Sequence, residues 1–148
     1  MARQTVMTAE LAPGRVFLGR IALAADLLGS LEEVFARLQI QAALFSATGM
    51  ALKATFGVYD ATQQVYAVRV ETGPLEMVSC TGSVFPGEER PALFAHVLLG
   101  RGQTRLFGGR LFSETLVEDA EFEVRELVGS PPIRTYDALT GRMHLHLP

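Results

Sequence analysis

Apolar and polar positions alternate with period two along most of this chain, and one stretch near the N-terminus breaks into helical spacing instead. The opening residues through Pro13-Gly14 form an irregular lead-in, and residues 15–23 then alternate as a first strand. Asp26 is placed to cap a helix from Leu27 onward. There Leu27, Leu28, Leu31, Val34, Phe35 and Leu38 fall on one face, with Glu32, Glu33 and Arg37 on the other. From Ala42 the texture is β-branched and aromatic at period two, interrupted at Thr48-Gly49, Tyr59-Asp60, Thr72-Gly73-Pro74, Pro86-Gly87, 100–102 and 129–132. These breaks predict strands over 42–46, 51–59, 64–71, 75–84, 93–99 and 120–127. The connections are short, which favours antiparallel pairing over helical crossovers. No repeat, linker or low-complexity segment divides the chain, so the expectation is one α+β domain over 1–148: an antiparallel sheet packed with one main helix.

Composition agrees with a folded domain and narrows its partners. Hydrophobic residues make up 49% of the 148 and charged residues 20%, enough apolar surface to offset the entropy of ordering. The net charge is −3, Lys53 is the sole lysine, and the arginines are scattered from Arg3 to Arg142. That distribution lacks the basic stripe of proteins that grip nucleic-acid backbones by charge, and leaves room for small anion sites built from arginine forks. The single cysteine, Cys80, has no intrachain partner and suits a reducing compartment. Asp26, Glu32 and Lys53 interrupt the early apolar stretches, so no run reaches the ~20 residues of a membrane span, and no secretory leader is expected. The expected location is the cytoplasm.

Chemistry-bearing residues are few. In a strand, Phe94 and His96 project from the same face, and Gly108-Gly109-Arg110-Leu111 follows in sequence. A zinc site needs three or four donors, and this neighbourhood offers one imidazole; a half-buried strand histidine with one hydrogen bond is the favoured reading of His96 over a ligand-contacting one. Arg110 fits a surface or interface cation as well as an anion ligand. Gly108-Gly109 lacks the further residues of a phosphate-binding fingerprint and reads as a tight turn. His144 and His146 lie on one face of a final strand, a spacing that can chelate a metal or simply alternate. The serines show no Gly-x-Ser-x-Gly elbow, and Cys80 reads as a core thiol. Glu76 is either a buried carboxylate with a specific partner or a solvated strand residue.

In order and spacing, several pieces resemble the plant-and-prokaryote-conserved (PPC) domain family. They are Ala25-Asp-Leu-Leu-Gly-Ser-Leu, Ala47-Thr-Gly-Met, Gly73-Pro-Leu-Glu-Met-Val-Ser-Cys-Thr-Gly-Ser, Pro91-Ala-Leu-Phe-Ala-His-Val, Gly108-Gly-Arg-Leu and Arg134-Thr-Tyr-Asp-Ala-Leu-Thr-Gly, and the resemblance as a whole runs over about 15–147. The resemblance implies a twisted antiparallel sheet, assembly as a homotrimer and a DNA-binding, transcription-associated label. In plant members an Arg-Gly-Arg-Pro hook grips the minor groove, and this chain has none. With its acidic balance, direct DNA binding is not expected. Family members often carry three histidines that look like a metal site; the corresponding positions here are Phe94, His96 and Arg110. A phenylalanine cannot coordinate, and an arginine puts a fixed positive charge where a cation would sit, so the expectation is a degenerate site with no metal and no cofactor. Two roles follow. One is a non-enzymatic trimeric interaction module. The other is a small-anion or metabolite-binding protein, or an unrecognised enzyme, using a pocket near His96, Arg110, Phe94 and Glu76. With no nucleophile–base pair and no cofactor motif, catalysis is the weaker expectation.

Overall fold

The computed structural model describes residues 6–147. Its elements run β1 (Ala12–Ile21), α1 (Leu27–Arg37), β2 (Ala43–Asp60), β3 (Val65–Phe85), β4 (Ala92–Arg101), β5 (Arg105–Leu111), β6 (Leu116–Val128), β7 (Ile133–Asp137) and β8 (Arg142–His146). β1 begins at Ala12, inside the stretch expected to be an irregular lead-in.

The first six strands form one antiparallel sheet in the order β1-β6-β2-β3-β4-β5. β5 also returns to the far half of β2, with Phe56 opposite Leu111 and Gly57 opposite Arg110, so the β2–β5 part of the sheet closes on itself. This closure depends on the length of the central hairpin. β2 has 18 residues and β3 has 21, each long enough to serve two neighbourhoods. The interruptions at Thr48-Gly49 and 72–74, expected to end strands, lie inside them as register irregularities. Gly49 has φ +147°, and a β-carbon there would strike the Asp119 carbonyl of β6; the sequence signal was a bulge rather than a turn.

Gly108-Gly109 corrects a second expectation. The pair is not a turn but the middle of β5. A β-carbon on Gly108 would collide with the Val97 carbonyl of β4, and one on Gly109 with the Gly57 carbonyl of β2. Backbone approaches on both sides exclude any larger residue.

α1 forms as the spacing predicts. Leu27, Leu31 and Phe35 are buried against the sheet in a core with Ile21, Phe45 and Val124. Complete burial of an aliphatic side chain contributes about 1.5–3 kcal/mol. Asp26 caps the helix by accepting from the Gly29 N–H at 2.9 Å, and its second oxygen accepts from the Thr115 N–H at 2.9 Å. One carboxylate therefore starts the helix and ties it to the chain entering β6. Cys80 is buried in the core, where desolvation pushes its thiol up to about 12.

β7 and β8 form a separate two-stranded hairpin. Its turn is held by Asp137, which accepts from the Leu139 N–H at 2.9 Å and the Thr140 hydroxyl at 3.0 Å. The hairpin is docked on the main sheet: the Arg134 N–H donates to the Pro86 carbonyl at 2.9 Å, the Tyr59 hydroxyl donates to the Thr140 carbonyl, and the Gln64 amide donates to the Leu139 carbonyl at 3.1 Å. Among the described residues, no helix is long and apolar enough to cross a membrane.

Candidate functional site

Strand register assembles three of the four residues singled out from the sequence. His96 in β4 stands opposite Thr81 of β3 on one side and Arg110 of β5 on the other, so the three share a row on the outer face of the sheet. Phe94, two residues earlier, projects from the same face opposite Ser83. The Phe94 and His96 ring centres are 5.2 Å apart. The Arg110 guanidinium carbon lies 4.1 Å from the centre of Phe94, 4.9 Å from Tyr66 and 5.3 Å from Phe112, so three aromatic rings surround the cation. Burial, and then the charge of Arg110, lower the pKa of His96 and favour the neutral imidazole.

Glu76 is elsewhere. It is exposed on β3, opposite Gly100 and Met50, and takes no part in this cluster. The structure supplies instead a residue that the sequence reading passed over, Arg134 of β7. Its Nη2 donates to the Ser83 hydroxyl at 2.9 Å, and its guanidinium carbon lies 5.1 Å from the centre of Phe94. Arg134 Nε is buried and has no acceptor among the described residues. Burial lowers the pKa of Arg134, and the charge of Arg110 lowers it further. Two guanidiniums thus lie against one phenylalanine, and neither has a carboxylate partner among the described residues.

Between the hairpin and the outer face of β3 and β4 lies an open cleft of about 760 Å³. Arg134, His96, Thr81, Arg142 and His144 contribute its polar groups, and no Asp or Glu lines it. Leu44, Phe45, Phe94 and Leu145 supply apolar wall. Arg110 stands beside the cleft rather than on its wall. Of the C-terminal histidines, His144 reaches the cleft and lies 2.7 Å from the Thr140 hydroxyl, while His146 does not line it.

The family model for the plants and prokaryotes conserved (PCC) domain matches residues 8–128. The chain belongs to this family. Solved structures agree with the PCC assignment. A metal-containing protein from Archaeoglobus fulgidus is 34% identical, with a TM-score of 0.88 over 95% of this chain and 99% of that one. A plant- and prokaryote-conserved protein from Pyrococcus horikoshii is 26% identical, with a TM-score of 0.85 over 96% of each chain. A protein from Ralstonia eutropha, provisionally called DNA-binding, is 25% identical, with a TM-score of 0.78 over 88% of this chain and 90% of that one. A search of curated proteins returns no match.

The donor set of this PCC chain does not fit a metal ion. His96 is a single imidazole beside a permanently charged guanidinium, and among the described residues no three His, Cys, Asp or Glu side chains converge on one point. The same row of the sheet offers hydrogen-bond donors and positive charge, which suit an anion.

Proposed function

We propose that this PCC-domain chain is a non-enzymatic binding module that works as a homotrimer. The observation that carries this reading is an apolar patch on the outer face of β3–β5. Val78, Leu98 and Leu106 are 44%, 38% and 63% exposed, and they surround Gly100, whose missing side chain leaves Val78 and Leu106 each 3.5 Å from where a β-carbon would stand. Covering such a patch with a second and third copy of the same chain removes apolar area from water at low entropic cost, because the strands that present it are already rigid. The DNA-binding name of the Ralstonia neighbour extends here to association with DNA through a protein partner. Direct contact is disfavoured by the net charge of −3 and by the pairing of Arg15, Arg20, Arg101, Arg105 and Arg125 with carboxylates of the chain itself.

Light scattering of the purified chain tests the assembly. A mass three times that of the monomer is expected, falling toward one in Leu98→Asp and Leu106→Asp; a monomeric wild type overturns the proposal. Gel retention with duplex DNA at low salt is expected to show free DNA, and a salt-sensitive shift would overturn the indirect role.

A further inference from the structure

The cleft between the C-terminal hairpin and β3–β4 holds a cation, Arg134, that no carboxylate among the described residues compensates. Three observations converge on it. The Arg134 guanidinium is half-buried and anchored by one bond to Ser83, and its Nε has no acceptor among the described residues. The second guanidinium, Arg110, lies against the same Phe94 ring and is fixed by Tyr66 and Phe112, so neither cation can swing away to relieve the repulsion without losing its aromatic contacts. The cleft wall adds Arg142, His96 and Thr81 as donors and no carboxylate lines it; the wall residue His144 is turned to the Thr140 hydroxyl at 2.7 Å and to Asp137 at 3.6 Å. Other arginines of this chain do find acidic partners, as Arg15 does with Glu126 and Arg101 with Glu71. Two like charges against one ring repel each other, Arg134 is partly desolvated, and no carboxylate among the described residues offsets them.

We propose that this cleft binds a small organic anion, a carboxylate or phosphate monoester with an apolar body, whose charged group is held by Arg134 and whose body lies against Phe94, Leu44 and Leu145. The volume of about 760 Å³ fits such a molecule rather than a bare inorganic ion. Arg134 is the ligand-binding residue, and Arg110 acts through Phe94 as a positioning residue. The site stands on one chain's own residues and does not depend on trimer assembly.

Titration calorimetry on the full-length chain with phenyl phosphate, benzoate, inorganic phosphate and uncharged phenol tests the proposal. Saturable binding is expected for phenyl phosphate or benzoate, whichever is tighter identifying the preferred charged group, with inorganic phosphate weaker and phenol absent. Arg134→Gln is expected to weaken binding about tenfold or more, Arg134→Lys less, and the distant Glu76→Gln not at all. Equal affinity in Arg134→Gln, equal binding of phenol, or no saturable binding overturns the proposal. Should Arg134→Gln fail to fold, the Nε–H resonance of Arg134 in the wild type decides: it shifts on titration with phenyl phosphate, and an unmoved resonance overturns the site. Light scattering during the titration separates the rival source of negative charge, a carboxylate from a second copy. An unchanged mass supports the small anion, and dissociation by the probe overturns it.

Discussion

At the scale of single residues, two side chains concentrate the consequences. Asp26 uses one oxygen on the helix cap and the other on the Thr115 N–H, so Asp26→Ala unsatisfies two backbone donors at once. The expected loss is about 1–3 kcal/mol, the sum of a cap and a second hydrogen bond, measured as a shift in urea midpoint with unchanged slope. Asp26→Asn keeps an acceptor at the cap and should recover part of it. His96 titrates below its ordinary value because burial, then the charge of Arg110, oppose protonation. The unfolded chain then takes up the proton first, so the His96 contribution to stability is intact above about pH 6.5 and declines as pH falls from there through the lowered folded-state pKa. A proton NMR titration of the His96 ring should show the depressed midpoint, and Arg110→Gln should raise it. A midpoint unchanged in Arg110→Gln would remove the charge from the explanation.

At the scale of elements, the glycines of β5 explain both the closure of the sheet and its partial invisibility in the sequence. Period-two alternation predicts strands from their side chains, and a segment whose centre is Gly108-Gly109 has none there to alternate. The helix was legible for the opposite reason: a polar cap and six apolar positions on one face leave no competing period. Gly49 and Gly73 misled in the other direction, since a glycine inside a long strand marks a close backbone approach as readily as an end. In the site, Phe94, His96 and Arg110 could be grouped because alternation and a matched motif place them on one face. Arg134 could not, because its position follows from docking a hairpin onto Ser83 and Pro86, residues some fifty positions away. Glu76 failed as a candidate because sequence proximity to the matched motif says nothing about which neighbourhood of a 21-residue strand a residue serves. Gly109→Ala should separate β5 from β2 at Gly57, lowering the melting temperature by several degrees and speeding hydrogen exchange at Leu111. Unaltered exchange there would show that the closure tolerates the methyl group.

At the scale of the whole molecule, the fold presents two outward surfaces with different chemistry on adjoining strands. The apolar patch around Gly100 and the cationic cleft near His96 occupy the same outer sheet face, two turns of the pleat apart along β4. Copies that meet through the first would hold the second at fixed spacing around a common axis. The chemistry of recognition and the geometry of assembly would then be set by one rigid element.

The buried thiol of Cys80 offers a clock for the entire structure. A group held protonated up to about pH 12 and packed in the core reacts with an aromatic disulfide reagent only when the sheet opens. Its modification rate in native buffer is therefore expected to equal the fraction of molecules open at equilibrium multiplied by the intrinsic reactivity of an exposed thiol. A small anion seated at Arg134 should slow that rate in proportion to its occupancy, and a rate as fast as that of a free cysteine would show that the core breathes far more than its packing allows.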